Sequence, residues 1–219
     1  MSRKLLHFGC GPEATLTNWE DYDGSWNAKI NTWPSVLKLL IHKTFFLNKT
    51  KIYKFPPHVR YLDLRNSLPF ADKCADAIYA SHTLEHLYYY DAKKLIKECF
   101  RILKPGGSIR IVVPNLNDFI LEYLADQSKN AAMNLHCKLL YRSLYRSNSI
   151  VYNIYNSLTD FHSHKFMYDP PMLIELLSQY GFKNIFLSCF NQSKIPEVSQ
   201  IETTERVGPS KGFACEGER

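Results

Sequence analysis

From Val59 onward the chain alternates short apolar runs with amphipathic stretches, and that alternation constrains the fold more than any other feature. Val59 to Leu62 and Asp76 to Ala80 read as strands. Asp91 to Leu103 has helical spacing through Ala92, Leu95, Ile96, Cys99, Phe100 and Leu103. Lys104-Pro105-Gly106-Gly107 is expected to stop that helix, and Ser108 to Val113 to form a β-branched strand closed by Pro114. A helix from Pro170 to about Tyr180, stopped by Gly181, precedes strands over Phe182 to Cys189 and Gly212 to Glu216. Upstream, Lys4 to Phe8 reads as the first strand and Trp19 to Tyr22 as a weak second one. Thr32 is a candidate cap for a helix running to about Leu47, with Pro34 in its first turn. Strands and helices in alternation predict an α/β fold, a parallel sheet with helices on both faces.

Composition narrows the class. Hydrophobic residues make up 45% and charged residues 22% of 219 positions, values of an ordinary globular chain. One core-bearing domain is expected over residues 1–219, with a basic helical insert at about 26–58 and a helical acceptor or lid insert at about 118–168. No run of about 18 uncharged apolar residues occurs, and the basic start lacks an apolar stretch of signal-peptide length, so a cytoplasmic location is expected. The six cysteines, no two closer than 25 residues, offer no Cys-x-x-Cys pair and read as reduced thiols, mostly buried. The net charge of +6 is local: seven Lys/Arg and no acid stand between Trp26 and Arg60, against 20 basic and 21 acidic residues elsewhere. That makes nucleic acid an unfavoured partner.

Gly9-Cys10-Gly11 directly after a first strand is the kind of turn that lets backbone approach a ligand closely at the edge of a doubly wound sheet. Position 14 is Ala and position 13 Glu, so the dinucleotide fingerprint is incomplete, and a pyrophosphate ligand, and with it a dehydrogenase, is disfavoured. Asp23 lies 12 residues beyond Gly11, and Asp63 closes the next strand. Carboxylates at neighbouring strand ends can accept from a ribose diol and from an adenine amino group; singly, each is more often a loop cap, but together in this order they describe an adenosine pocket.

Three further runs carry a resemblance. Asp63 to Asp72 contains Leu68-Pro69-Phe70-Ala71-Asp72, Asp76 to Leu87 contains Leu84-Glu85-His86, and Arg101 to Gly107 contains Leu103-Lys104-Pro105-Gly106-Gly107. With the opening Leu6-His7-Phe8-Gly9-Cys10-Gly11, they resemble class I S-adenosylmethionine-dependent methyltransferases of type 11, over about residues 4 to 115. The segments His164 to Asp169 and Tyr180-Gly181-Phe182 are similar to the branch of small bacterial enzymes associated with surface-polysaccharide synthesis. The resemblance implies a Rossmann-like doubly wound, mostly parallel seven-stranded sheet with helical insertions, and S-adenosylmethionine as cofactor, with S-adenosylhomocysteine as product. It implies that Gly9, Cys10 and Gly11 pass their backbone around the methionine, that Asp23 (or Asp21) holds the ribose, that Asp63 and the Leu64 amide read the adenine, and that Ser81 and His82 border the methyl group.

The sulfonium methyl is already activated, so positioning supplies most of the rate. A hydroxyl or amino acceptor also gains from a general base, worth roughly 10²–10⁴-fold. His82 and His164, then His162, are the candidates for base or acceptor orientation, whereas His86 is expected to hold a helix start. A metal site from His162 and His164 lacks a third ligand, and none is expected. Asp169-Pro170-Pro171-Met172 sits at the start of a late helix, so helix-start proline explains it better than an amino-methylating motif. The tyrosines from Tyr141 to Tyr155 read as packing residues or as a stacking surface. The basic insert could touch an anionic membrane surface peripherally, guide a phosphorylated or lipid-linked acceptor, or pack on the sheet. The expected acceptor is a small molecule or glycan, with a sugar of a surface glycan or its precursor favoured. RNA or a small natural product as acceptor, and a non-catalytic binding protein, are the alternatives.

Overall fold

The structure is a computed structural model that describes residues 2–34, 54–139, 163–207 and 212–219. Seven strands form one sheet: β1 (Leu5–Phe8), β2 (Trp19–Asp23), β3 (Arg60–Tyr61), β4 (Ala75–Ser81), β5 (Leu103–Val113), β6 (Lys183–Ser188) and β7 (Phe213–Glu218). Their order is β3-β2-β1-β4-β5-β7-β6. β1 to β5 run parallel, and β7 runs antiparallel to both β5 and β6. After β1 the chain winds outward to β2 and β3, then returns to place β4 on the other side of β1. The crevice at the carboxyl ends of β1 and β4 is therefore the topological switch point, where open α/β sheets bind ligands.

Alternation along β1 explains the two cores. Leu6 and Phe8 point to one face, where α2 (Tyr89–Ile102) and α5 (Pro170–Gln179) pack, while α1 (Trp26–Asn31) lies beyond the end of β2. α2 buries Ala92, Leu95, Ile96, Cys99 and Ile102, a stripe at helical spacing. α5 buries Leu173, Leu176 and Leu177, and starts as the sequence indicates: the Asp169 carboxylate accepts from the Met172 amide ahead of two prolines. Leu5 points to the other face with Trp19, Tyr79 and Val112. Among the described residues that face is covered by Ile195, Val198 and Val207 from a strap whose one regular turn is the 3₁₀ helix Pro196–Gln200, and by no α-helix. α3 (Leu116–Ala125) and α4 (Ala131–Leu139) follow β5.

Two expectations are corrected. Lys104-Pro105-Gly106-Gly107 does not separate helix from strand: β5 begins at Leu103, the C-cap of α2, which pairs with Ala75 before a register shift restores pairing at Ala77 and Ser108. Gly106 at φ +75° absorbs the bend. Thr32 is the C-cap of α1, whose N-cap Ser25 accepts from the Ala28 amide. The longer helix expected to Leu47, most of the basic insert, and Tyr141 to Tyr155 lie outside the described residues. Of the cysteines, all free, Cys10, Cys99 and Cys215 are buried, Cys74 is half-buried, and Cys137 and Cys189 are exposed.

The strap is held by a buried guanidinium. Arg110 of β5 donates to both carboxylate oxygens of Glu202, each at 2.8 Å, and to Glu216 Oε1 at 2.7 Å. Glu202 also accepts from the Asn191 amide and Glu216 from the Lys194 amide, so the carboxylates tie two loop positions to the sheet. Removing one member of such a network strands buried charge, which costs about 3–5 kcal/mol. Arg110→Met should lower unfolding stability by that order in urea titrations, and Arg110→Lys should recover only part of it, because one ammonium cannot reproduce the forked contact with Glu202.

Candidate active site

The turn after β1 is fixed by backbone. Gly9 and Gly11 have φ of +71° and +72°, and the Gly9 and Cys10 amides donate to the Tyr22 carbonyl at 2.8 and 3.2 Å. A Cβ on Gly9 would stand 1.9 Å from Thr83 Oγ1, so glycine is required by close approach as well as by φ. Thr83 in turn donates to the carbonyls of Phe8 and Ser81, clamping the ends of β1 and β4 together. The Cys10 side chain packs with Ala28, Phe55 and Val59; burial pushes its thiol up, so it stays neutral. Only its backbone faces the crevice, where its carbonyl accepts from Arg206 Nη2 at 3.1 Å.

Asp23 ends β2 and Asp63 follows β3, both at the carboxyl edge. The Asp23 carboxylate accepts from the Gly11 amide at 3.1 Å and the Ser25 amide at 2.8 Å, so it joins the glycine turn to the second strand end. Asp21 is engaged elsewhere: it is buried against His7 Nδ1 at 2.7 Å, with His58 Nε2 at 3.4 Å. The 12-residue spacing from Gly11 leaves no helix between β1 and β2, and the connection is turn and coil. Asp63 grips Arg65 through both oxygens, at 2.8 and 2.7 Å. The Arg65 hydrogen bonds outweigh partial burial and hold the Asp63 carboxyl below its usual range. Leu64 buries its side chain in the main core, leaving its backbone at the edge.

At the end of β4, Ser81 is buried and His82 adopts φ +49°, a left-handed conformation that costs a non-glycine residue about 1–3 kcal/mol. The ring of His82 bridges two acceptors: Nδ1 lies 3.1 Å from Glu85 Oε1 and Nε2 lies 2.9 Å from the Arg206 carbonyl. Burial disfavours its charged form, but the Glu85 hydrogen bond and charge and the Arg206 carbonyl prevail and raise its pKa. Each ring nitrogen thus faces an oxygen that needs a proton, so His82 suits orientation and charge better than proton acceptance.

His164 behaves oppositely. It is buried, its Nδ1 has no hydrogen-bond partner among the described residues, and desolvation lowers its pKa against the pull of Glu85. A neutral imidazole with an open nitrogen results. The segment that carries it is stitched to the 3₁₀ turn Leu84–His86, where the Glu85 carbonyl accepts from the Lys165 and Phe166 amides at 2.6 and 3.2 Å. His86 is not only a helix-start residue, since its ring lies 5.0 Å from that of His164. His162 falls outside the described residues. Sequence reasoning passed over Thr83, Glu85 and Arg206. Glu85 carried a signal, a carboxylate inside an apolar motif; Arg206 carried none.

Residues 6–111 match the family model described as a methyltransferase domain. Among solved structures that the chain resembles, a SAM-dependent methyltransferase from Methanosarcina mazei is 17% identical, with 100% of this chain and 93% of that one covered and a TM-score of 0.50. One from Archaeoglobus fulgidus is 19% identical, with 99% and 86% covered and a TM-score of 0.47. Phosphoethanolamine N-methyltransferase 2 of Haemonchus contortus, solved with S-adenosyl-L-methionine, is 12% identical, with 100% and 49% covered and a TM-score of 0.45. At 17% identity the first of these likenesses is one of fold alone. A sheet in this order, with a glycine turn at its switch point, defines the Rossmann-like class of methyltransferase folds. Over residues 6–111 the chain carries an S-adenosylmethionine-dependent methyltransferase domain.

Two outcomes are expected. Gly9→Ala should cost at least about 1–3 kcal/mol through the positive φ alone, and Thr83→Ala added to it should recover part of the loss in thermal unfolding. In an NMR titration, His82 should protonate above the unperturbed value near 6.5 and His164 below it. By linkage, the stabilisation from His82 is full below about pH 6.5 and is lost as pH rises through its folded pKa. The neutral burial of His164 opposes folding only as pH falls below that same value.

Proposed function

We propose that this domain transfers the methyl of S-adenosylmethionine to a hydroxyl or amino group of a sugar, on a surface glycan or its precursor. The observation that carries the polar acceptor is the group of ionisable side chains at the end of β4: His82, His86 and His164 around the buried carboxylate of Glu85. An acceptor with an exchangeable proton uses such a lining. The sugar class rests on the likeness of residues 164–169 and 180–182 to enzymes of surface-polysaccharide synthesis.

In this reading the Gly9, Cys10 and Gly11 backbone wraps the methionine, Asp23 takes the ribose hydroxyls, and Asp63 with the Leu64 amide reads the adenine. For Asp63 to accept from the adenine amino group, Arg65 must share that carboxylate. Ser81 and His82 border the methyl. The acceptor lone pair attacks the methyl carbon in line, the carbon–sulfur bond breaks, and its electrons neutralise the sulfonium as S-adenosylhomocysteine leaves. The acceptor proton departs toward the neutral side of the cluster, where His164 either takes it or holds a group that acidifies the acceptor. His162 stays a candidate for the same role. A peripheral membrane-surface contact of the basic insert would suit a lipid-linked precursor; among the described residues no helix is long and apolar enough to cross a membrane.

Calorimetry with S-adenosylhomocysteine tests the cofactor side. One saturable site is expected, with no heat from NAD, and Asp63→Ala should weaken binding about 10–100-fold, as for a lost hydrogen bond to a charged group worth about 1.5–3 kcal/mol. On the acceptor side, radiolabel from the methyl donor should appear in nucleotide-linked or lipid-linked sugars. Label entering RNA instead, with a steep salt dependence, would overturn the sugar reading.

A further inference from the structure

Glu85 and His164 present a problem that the methyl-transfer reading does not solve. The Glu85 side chain is 0% exposed and His164 is 7% exposed. Yet among the described residues Glu85 Oε2 and His164 Nδ1 have no hydrogen-bond partner. Two buried polar atoms left without a partner, one on a carboxylate and one on an imidazole, are costly side by side. His86 completes the group: it, Glu85 and His164 each bring one ligating atom, and these all lie within 4.8 Å of one another.

We propose that Glu85, His86 and His164 form a binding site for a divalent transition-metal cation. Two imidazoles and one carboxylate suit Zn²⁺, Mn²⁺ or Fe²⁺ rather than the all-oxygen shells of Ca²⁺ and Mg²⁺. Metal–ligand bonds of about 2.0–2.2 Å put tetrahedral ligand atoms about 3.4 Å apart, so the cluster closes by roughly 1 Å on binding. The outer groups already hold each ligand in the pose that coordination needs. His82 occupies Glu85 Oε1 and leaves Oε2 open. His86 Nδ1 lies 3.3 Å from the Ser163 carbonyl and leaves Nε2 open. The bonds from the Lys165 and Phe166 amides to the Glu85 carbonyl fix the His164 segment against the turn that carries the other two ligands.

The expectation of no metal counted His162 and His164 and found no third ligand. The fold supplies two from the Leu-Glu-His motif, 78 and 79 positions upstream of His164. Three protein ligands leave at least one position for a water or another oxygen, whose acidity the ion would raise. That this oxygen belongs to the methyl acceptor rests on the reading above; the cation site does not.

The test uses the whole chain, stripped with a chelator and titrated with Zn²⁺ and Mn²⁺ by calorimetry, with metal content measured after gel filtration and Co²⁺ absorption as a report on geometry. One equivalent per chain is expected. Glu85→Gln and His164→Ala should each weaken it at least ~100-fold, since even outer-shell losses cost 10–100-fold, whereas His58→Ala should bind as the parent does. S-adenosylhomocysteine titrations of the same preparations report folding and keep the two readings apart. Cofactor binding without metal binding up to millimolar ion, or metal binding unchanged in both ligand variants, overturns the cation site alone. Metal binding lost in both ligand variants, in a protein that ignores the cofactor, supports the cation site and overturns the cofactor assignment.

Discussion

The buried guanidinium of Arg110 is the contact on which the rest of the molecule depends. It sits in the middle of β5 at 0% exposure, facing two carboxylates, one from β7 and one from the strap. Desolvation works against its charge, and the hydrogen bonds and fields of Glu202 and Glu216 overcome it, so it remains a cation. No α-helix among the described residues covers this face of the sheet, so the strap must do so, and a mostly irregular segment has little reason to stay without a fixed anchor. Glu202 is that anchor, receiving Arg110, the Asn191 amide and the Tyr79 hydroxyl. Four residues later Arg206 reaches round to the crevice, its side chain on the Cys10 carbonyl and its own carbonyl on His82. The geometry at the His82 end of the crevice is thus set from behind the sheet.

A second dependence runs through Thr83. Its hydroxyl caps the ends of β1 and β4 while its bulk fills the space that a side chain on Gly9 would need. The two strand ends at a switch point diverge by construction, since their chains leave in opposite directions. Clamping them fixes the distance between the glycine turn and Ser81–His82, which in the proposed reading is the distance between cofactor backbone contacts and the methyl carbon. A shift of about 1 Å there is enough to cost a reaction that relies on in-line placement roughly 10²-fold.

Much of the sheet was legible in the sequence because its central strands β1 and β4 are short, mostly apolar and followed by turn residues. β4, α2 and α5 appear within two residues of where spacing puts them. What periodicity could not convey was a boundary without a gap: Leu103 ends a helix and begins a strand, and Pro-Gly-Gly reads as a stop because bending and stopping use the same residues. The strap was invisible for another reason. It buries Ile195, Val198 and Val207 without a repeat, and its charge partners lie in another strand, 92 positions away in the case of Glu202. In the site, the positions of Asp23, Asp63 and Ser81 at strand ends followed from motif order. The Arg65 grip on Asp63, and the use of Asp23 to hold the Gly11 amide, needed coordinates.

The three histidines around Glu85 show why residue type alone misleads. All lie close to one carboxylate, yet burial and partners drive two of them apart: His82, with acceptors on both nitrogens, toward the cation, and His164, with an open nitrogen, toward the neutral form. A lone buried carboxylate would be satisfied by a second protonated imidazole, and the environment of His164 opposes that solution. Charge balance at Glu85 then rests on His82 on one side and is incomplete on the other. Titratable groups whose environments push their protonation apart mark a site with divided roles. Here the division places the more readily protonated imidazole beside the strand end and an electron-pair donor opposite it. That polarity suits an electrophile entering from the His164 side, whether it is a proton leaving the acceptor or the cation that would loosen it.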